Sequence, residues 1–372
     1  MNFLFLTSFG EIATYVLYIF IAVLVLLLMI TVHEAGHYFA GKIFGFGIEE
    51  FSIGFGPKIF SRKKQNGEIF SLRLIPLGGY CSFVGEDGEN DDPKAFNNKK
   101  PWQRIIVLVA GAFMNYLTAI VLIALMFGFY GHSAIMVYKT DGASETESEY
   151  TLNDRDVIIK ANGKNVYLIT DLMNAISGTK KDEKINLYIL RNGEFQNVEI
   201  VLAGDADFKN LEDSETLCRA LGVYYSESED GGVDTGFRTT GIQHGFFGTI
   251  GRSFEYSMRL AGTIFTVFRQ LFTGMMGISS LGGTVTTITV TASAIKTGGL
   301  WSLLNIGAFI GVNLAVFNLI PFPALDGSRV VFTVIEWIRG KPISRKVEGI
   351  IHAVGFALIL AFAILVDLQR CF

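Results

Sequence analysis

Residues 12–40 read IATYVLYIFIAVLVLLLMITVHEAGHYFA, a long apolar run that ends in two histidines and a glutamate. No charged residue occurs between Ile12 and Val32, and the run is long enough to cross a bilayer as a helix. In a helix, His33 and His37 lie one turn apart on one face, close enough to bind a single metal ion. The sequence therefore predicts a metal site inside or at the edge of a membrane span.

The HExxH spacing leaves Glu34 beside this metal without making it a ligand. There it can take a proton from water, whose pKa a bound zinc ion lowers to about 7, and pass it to a leaving amine, as peptide hydrolysis requires. The alternative is a chance occurrence of the motif. Ionisable residues in a span cost about 2.5 to 3.5 kcal/mol each on insertion scales, so three within five positions indicate function. Catalytic zinc usually has three protein ligands, so one more is expected.

The composition is that of a membrane protein. Half of the 372 residues are hydrophobic, 18% are charged and the mean hydropathy is positive. A net charge of -4 gives no indication of nucleic-acid binding. The cysteines are scattered and form no CxxC pair, so we predict neither a disulfide framework nor a cysteine metal site.

The fold class that we predict is an α-helical polytopic membrane protein with about four transmembrane helices. The stretches without Asp, Glu, Lys or Arg that are long enough to span are 12–32, 105–138, 297–325 and 349–366. The loop after the first stretch is rich in Lys and Arg, whereas residues 1–11 contain neither. The positive-inside rule therefore places the N-terminus outside and this loop in the cytoplasm.

Two stretches of that loop, 51–60 and 68–84, alternate in places and contain Gly and Pro, which predicts short strands and turns in a membrane-associated β-hairpin region. The first is apolar enough to enter the membrane beside the HExxH helix. Two interpretations remain open: an ordinary cytoplasmic hairpin, or an exposed strand edge that binds a substrate in extended form. On the second interpretation the candidate substrate-binding residues are Gly54, Phe55 and Gly56.

From about residue 139 to residue 238 the composition is that of a soluble domain. A strand with an Asn-Gly turn at 156–166, a short helix at 168–177 and a hairpin at 184–202 predict a small α+β domain. The order of these elements resembles that of a bacterial PDZ domain. Residues 205–234 are acidic, which favours an extension or linker.

Three domains are expected. They are an N-terminal membrane core (1–132), a PDZ-like domain with an acidic extension (133–245) and a C-terminal membrane core (246–372). In the last of these, residues 250–273 mix charged with aromatic residues, which predicts a helix on the membrane surface. Residues 277–296 are rich in Gly and Thr, which favours an irregular segment packed against the core.

Residues 318–327, NLIPFPALDG, supply a candidate for the missing ligand. Asp326 is the first charged residue after a long apolar run, and Pro321 and Pro323 break the helix and can turn its carboxylate inward. The second span returns the chain to the outside, so the third runs inward and brings Asp326 to the side of the two histidines. Without the HExxH motif, a loop start or helix cap would be the better interpretation of Asp326.

Five other polar or small residues lie in or beside the predicted spans. Gly111 and Asn115 in the second span suit close helix packing. His132 and His244 flank the soluble domain and are expected at its surface. His352 lies in the fourth span, either as a polar packing residue or in a functional role.

HEAGH at 33–37 together with NLIPFPALDG at 318–327 resembles the site-2 protease family of intramembrane zinc metalloproteases, in its regulator of sigma-E protease (RseP) type. IGFGPKIF at 53–60 is similar to the membrane-reentrant β-loop of that family, and IPLGGYCSFVGED at 75–87 to the hairpin that follows it. The chain departs from the family in two ways. It has Gly, Ala and Asn at 111, 112 and 115 where the family often has GPxxN, and it has room for one PDZ-like domain instead of two.

The resemblance implies a Zn2+ cofactor held by His33, His37 and Asp326, with Glu34 as the catalytic acid and base. It also implies that Asn318 helps to hold an unwound substrate near the metal. The remaining candidate substrate-binding residues are Pro321 and Pro323.

The activity implied is cleavage of single-span membrane proteins within the bilayer, in regulated intramembrane proteolysis or a stress response, with anti-sigma factors or remnant signal peptides as substrates. The location implied is the bacterial inner membrane, with the N-terminus and the PDZ-like domain in the periplasm and the active site near the cytoplasmic side. Its partners are these substrates and the lipid bilayer, without nucleic acid. A zinc transporter would place ligands along repeated halves, and no repeat is evident. A zinc-binding scaffold would not need Glu34.

Overall fold

A computed structural model describes residues 9–86, 88, 90–138, 152–179, 184–202, 214–227, 233–275, 277, 282 and 284–369. The chain forms two compact units. One contains Met1–Leu125 and Ile250–Phe372, and the other contains Met126–Thr249.

The described residues form eight α-helices and ten strands, each numbered in chain order. The helices are α1 (Phe9–Ile43), α2 (Pro101–Tyr130), α3 (Ile169–Ile176), α4 (Ser214–Leu221), α5 (Phe246–Phe272), α6 (Thr284–Leu319), α7 (Asp326–Arg339) and α8 (Arg345–Gln369). The strands are β1 (Ile48–Lys63), β2 (Ile69–Phe83), β3 (His132–Val137), β4 (Val157–Ala161), β5 (Lys164–Asn165), β6 (Lys184–Arg191), β7 (Glu194–Val201), β8 (Tyr225–Glu227), β9 (Val233–Thr235) and β10 (Phe237–Ile242).

Four of these helices are long and apolar enough to cross a membrane. The candidate spans are Ala13–Ile43, Pro101–Tyr130, Thr286–Leu319 and Lys346–Leu368. The chain is therefore a polytopic membrane protein with a β region, as predicted, and α1 continues without a break through the HExxH motif.

The boundaries of the second and third spans differ from the prediction. α2 ends at Tyr130. Residues 132–137, which belong to the apolar stretch 105–138 that the sequence predicts as a span, form β3. The third span was expected at 297–325, but α6 already begins at Thr284 and ends at Leu319. The apolar composition of 132–137 misled the prediction, because a buried strand is as apolar as a helix.

The expectation of an irregular segment over 277–296 is wrong from Thr284 onward, and residues 278–281 and 283 lie outside the described part. Threonine hydroxyls in this segment bond back to carbonyls of the same helix. Thr289 Oγ1 donates to the carbonyl of Thr286 at 3.0 Å, and Thr297 Oγ1 to that of Ser293 at 3.1 Å. Such local bonds satisfy the hydroxyl within an apolar helix. Gly299, with φ 54° and ψ -134°, interrupts α6.

β1 and β2 form one long antiparallel hairpin, longer than the short strands predicted. Its register shifts where Phe55 pairs with Ile75 and Lys58 with Arg73. Gly54 has φ 84°, and a Cβ there would lie 2.8 Å from the carbonyl oxygen of Ile75. Glycine is therefore required at this bulge. Large apolar side chains around it are exposed, among them Phe55, Ile59, Phe60 and Leu74.

A charged network lies inside this hairpin. Glu50 Oε1 accepts hydrogen bonds from Ser71 Oγ at 2.6 Å and Arg73 Nη2 at 2.9 Å, and lies 3.1 Å from Lys58 Nζ. Arg73 Nη1 also donates to the carbonyl of Gly56 at 2.8 Å, which ties the network to the bulge. Burial alone raises the pKa of Glu50, but these hydrogen bonds outweigh burial and lower the pKa to about 2.

The lowered pKa of Glu50 makes the stability of the hairpin depend on pH. Ionised Glu50 stabilises the fold above its ordinary pKa of 4.5, and this contribution is lost as the pH falls toward 2. We expect Glu50→Gln to lower the unfolding temperature at neutral pH and to make it less sensitive to pH between 4.5 and 2. Thermal unfolding of both proteins in detergent tests this, and parallel pH curves would contradict it.

The second unit is built on a sheet of order β10-β3-β4-β6-β7, with β5 paired to β4. The Asn162-Gly163 and Asn192-Gly193 turns occur where they were predicted, with positive φ at all four residues. Helix α3 covers one face, and its buried residues include Leu172 and Ile176. The predicted small α+β arrangement is thus present in the described residues.

One alternative and one expectation for this unit are wrong. Of the linker and the extension that the sequence allows for the acidic stretch, residues 214–227 are not a linker, because α4 places Leu217 and Cys218 in the hydrophobic core. Of the acidic stretch, residues 205–213 and 228–232 lie outside the described part. His132 is not at the surface: it is 1% exposed, and its Nδ1 lies 2.7 Å from Nε2 of His244, which is half-buried.

Helix α5 covers the stretch expected to lie on the membrane surface. It buries Ser253 and Ser257, and the Ser257 hydroxyl lies 2.9 Å from that of Tyr116 in α2. Large apolar side chains, including Phe254 and Phe265, are exposed. It is not among the candidate spans found in the described residues.

Candidate active site

The two histidines of the HExxH motif face the same point. His33 and His37 are each 7% exposed, and their Nε2 atoms are 3.1 Å apart. Because α1 is regular here, the spacing of four residues places both imidazoles on one face, as the sequence predicted.

Asp326 joins them from the other end of the chain. Its Oδ2 lies 2.9 Å from His33 Nε2 and 3.3 Å from His37 Nε2. The segment with Pro321 and Pro323 ends α6 and leads into α7, whose first residue is Asp326. Within the described part of the chain, these three residues are the group found that could hold a metal ion.

The distances between the three donor atoms fit a tetrahedral metal. Zinc–nitrogen and zinc–oxygen bonds are about 2.0 to 2.2 Å long, which places donors about 3.3 Å apart in a tetrahedron. The three observed separations are 2.9, 3.1 and 3.3 Å. The donor set of two imidazoles and a carboxylate leaves the fourth position open, as in catalytic zinc sites.

Helix α2 orients His37 and leaves room for both rings. His37 Nδ1 donates to the carbonyl of Val107 at 2.8 Å, so its Nε2 lone pair is directed to the common point. A Cβ on Gly111 would lie 2.8 Å from His33 Nε2 and closer still to His37 Nε2. Gly111 thus has a role at the site that sequence reasoning, which assigned it to helix packing, missed.

Asn115 completes the support of His33. Its Nδ2 lies 3.3 Å from His33 Nδ1, while its Oδ1 is buried without a hydrogen-bond partner among the described residues. Metal binding through His33 Nε2 needs the proton on Nδ1. A half-turn of the carboxamide brings Oδ1 to that proton, which satisfies both atoms. The Nδ2 of Asn318 lies 3.5 Å from the same His33 Nδ1. The signal that could have found Asn115 is its spacing of four residues from Gly111.

Helix α7 is fixed by contacts near both of its ends. Arg104 of α2 is 1% exposed and donates to both carboxylate oxygens of Glu336, at 2.6 and 3.1 Å. At the other end, a Cβ on Gly327 would collide with the carbonyl oxygens of Leu319 and Ile320, so only glycine allows this close turn. These contacts fix Asp326 at the start of the helix.

Glu34 lines two cavities, both of which are also lined by His33 and Asp326. One, of about 410 Å³, is also lined by residues of β2 and by Glu86 and Arg329, which form an ion pair. The other, of about 210 Å³, is also lined by Asn318 and Ala324. Glu34 therefore borders the same space as the donor residues, and a substrate or water can occupy that space.

Only one of the six candidate substrate-binding residues lines either of the two cavities. Asn318 lines the smaller cavity. The others are not among the lining residues of either cavity, and they lie in the hairpin or in the turn before α7: Gly54, Phe55, Gly56, Pro321 and Pro323.

Comparison with known proteins agrees with this geometry. The model of peptidase family M50 matches residues 21–362. The chain belongs to peptidase family M50. The match includes both membrane segments that carry the donor atoms and the whole second unit.

Curated relatives match over nearly the whole chain. A protein of Clostridium perfringens is 33% identical, covering 95% of this chain and 98% of its own length. One of Clostridium acetobutylicum is 30% identical, covering 94% and 96%. Both carry the name "Putative zinc metalloprotease". The zinc metalloprotease RasP of Bacillus licheniformis is 28% identical, covering 91% and 96%. The M50 relationship thus extends to the full architecture.

The close approach of α2 to the two histidines makes Gly111 a sensitive position. We expect Gly111→Ala to displace at least one imidazole and to lower metal affinity about 10- to 100-fold, the usual cost of losing an outer contact of a metal ligand. Gly128→Ala in the same helix is the matched control, because a Cβ there meets nothing within 4 Å. Metal titration of both purified variants tests this. Equal affinities would contradict the geometry.

Proposed function

We propose that this M50 peptidase is an intramembrane zinc metalloprotease in which His33, His37 and Asp326 hold Zn2+ and Glu34 is the catalytic acid and base. The observation that carries the proposal is the set of three donor atoms within 3.3 Å of one another, in a cavity that Glu34 also lines. The names of the relatives support zinc as the metal.

Zinc, when bound, supplies a Lewis acid that polarises a peptide carbonyl and activates water. The chain supplies the proton transfers and the geometry. His37 holds a proton on Nδ1 for the carbonyl of Val107, so that Nε2 stays a ligand. Glu34 accepts a proton from water and delivers it to the leaving amine. Strand β2 lies against its side chain, since a Cβ on Gly79 would be 3.6 Å from Glu34 Cγ.

Replacing the proton carrier separates catalysis from metal binding. We expect Glu34→Gln to abolish cleavage of a tagged single-span substrate in membranes, because the amide cannot accept the proton, while bound zinc stays at the wild-type level. Glu194→Gln on the exposed start of β7 is the matched control and should keep full activity. Cleavage by the Glu34→Gln variant, or loss of its zinc, would overturn the role of Glu34.

The substrate class follows from where the site lies. His33 and His37 belong to a candidate membrane span, and Asp326 follows another. A peptide bond that reaches them comes from a membrane segment, and it must be extended, since a helical peptide bond is shielded. Single-span membrane proteins of the anti-sigma factor or remnant signal peptide type fit this requirement. The groups that we assign to substrate binding are Asn318, the apolar bulge of β1 at Gly54, Phe55 and Gly56, and the turn at Pro321 and Pro323.

The orientation rests on charge. The hairpin loop between α1 and α2 is rich in Lys and Arg, whereas residues 1–11 contain neither, so the loop belongs on the cytoplasmic side of a bacterial inner membrane. The site residues belong to the C-terminal part of α1, the N-terminal half of α2, the C-terminal end of α6 and the start of α7, which favours an active site near that side. The second unit then lies in the periplasm, and we assign it as a PDZ-like domain from its strand and helix order.

A periplasmic PDZ-like domain can exclude substrates whose outer domain is still large. β3 and β10 pair up to Val137 opposite Phe237, and the Tyr138 N–H donates to the Gly236 carbonyl. Residues 139–235 can therefore be replaced by an Asn-Gly turn that leaves this ladder intact. We expect the shortened protein to cleave untrimmed substrate as fast as trimmed substrate.

The control for this deletion is the same variant with Glu34→Gln, which should cleave neither substrate. Immunoblotting of both substrates in membranes measures the outcome. Unchanged preference for trimmed substrate would reject exclusion by the second unit and would leave the zinc site untouched.

A further inference from the structure

Helix α8 provides no metal-binding atom, yet it contacts the turn that carries Asp326. His352 Nδ1 accepts a hydrogen bond from the backbone N–H of Ala324 at 3.0 Å. A Cβ on Gly355 would lie 2.7 Å from the carbonyl carbon of Pro323 and closer to its oxygen. His352 and Gly355 are three residues apart and therefore lie on the same face of α8. On this face His352 accepts the hydrogen bond, and Gly355 leaves room for Pro323.

The turn needs such support because its backbone is strained. Ala324 has φ 81°, a conformation that residues with a Cβ rarely adopt. The Phe322 N–H donates to the Ile320 carbonyl at 2.7 Å and the Leu325 N–H to that of Phe322 at 3.1 Å. The Ala324 N–H, between them, is bonded to His352. A strained residue persists only when its surroundings hold it in place, and here α8 supplies that contact.

The hydrogen bond also fixes the tautomer of His352. An Nδ1 that accepts is unprotonated, so the proton resides on Nε2. That Nε2 is buried without a hydrogen-bond partner among the described residues, and the nearest carboxylate oxygen, on Glu348, is 4.0 Å away. A half-satisfied imidazole in a membrane span costs more than an apolar side chain of similar size. Packing alone therefore does not account for a histidine at this position.

Ala324 lies two residues before Asp326, whose Oδ2 must stay within about 3.3 Å of both imidazoles to complete a tetrahedral donor set. We propose that His352 is a positioning residue for Asp326: by bonding the Ala324 N–H it fixes the turn so that the carboxylate completes the metal site. This inference rests on the proposed function, because it assigns His352 a role in a metal site. His352 itself does not ligate the metal.

The test compares two substitutions that differ in the acceptor. In His352→Asn the side-chain oxygen can take the place of Nδ1, whereas His352→Leu has no acceptor. We expect His352→Leu to lower zinc affinity about 10- to 100-fold, with a lower kcat and an unchanged KM. His352→Asn should restore zinc affinity and kcat. Chelator competition on the purified proteins measures affinity without recourse to activity. Leu358→Ala on the exposed side of α8 is the matched control and should bind zinc as the wild type does.

A second variant keeps the inference testable if His352→Leu fails to fold. Gly355→Ala displaces Pro323 without removing the acceptor, and we expect it to lower zinc affinity as well. Zinc affinity that is equal in His352→Leu, His352→Asn and the wild type would overturn the inference. So would a lower unfolding temperature of His352→Leu with unchanged zinc affinity.

Asp326→Asn separates this inference from the proposed function. If Asp326→Asn loses zinc and His352→Leu does not, only the positioning role fails. If the wild type and Asp326→Asn bind zinc equally, the metal site itself is wrong and the positioning role falls with it.

Discussion

The contact between Asp326 Oδ2 and His33 Nε2, 2.9 Å across, joins residues 293 positions apart and decides how the membrane helices pack. A carboxylate and two imidazoles buried in a membrane segment are unfavourable unless they bind one another or a shared cation. The chain meets this requirement by bringing the C-terminal end of α1 against the start of α7. Helix α2 then packs on both, with Gly111 leaving room for the rings and Arg104 bound to Glu336.

Strand β2 of the β1–β2 hairpin lies beside Glu34 and lines the larger cavity with it. A Cβ on Gly79 in β2 would lie 3.6 Å from Glu34 Cγ. The Glu34 side chain thus lies against a strand, whereas the three donor atoms belong to residues of helices. The charged network around Glu50 reaches the same region through Arg73, which donates to the Tyr80 hydroxyl at 2.6 Å, because Tyr80 lines the larger cavity together with Glu34.

Much of this arrangement was predictable because it follows from spacing. The period of a helix places His33 and His37 together, and alternation of spans brings Asp326 to the same side. The Asn-Gly turns of the second unit follow from backbone preference alone. What failed depends on tertiary context. Residues 132–137 are as apolar as a helix but join a sheet. The Thr-rich start of α6 is helical, with threonine hydroxyls satisfied by carbonyls of the same helix. Helix α4 enters a core that no local pattern reveals.

The contacts of the supporting residues could not be predicted for a related reason. The spacing of Gly111 and Asn115 and the polar His352 in a span are local signals, but the atoms that these residues contact lie on other helices. A single sequence gives the residues that carry the chemistry. The residues that orient them become visible once the helices are in place.

The interruption of α6 at Gly299 has a consequence for how that helix fits its surroundings. Residues 300–319, after the break, number 20 and span about 30 Å as an α-helix, which equals the thickness of a hydrocarbon core. That portion is long enough to cross the bilayer, and the short turn after it leads to Asp326. The 15 residues from 284 to 298 are free of this constraint. They can take a different angle to the membrane plane and respond to bilayer thickness without altering the depth of the metal site.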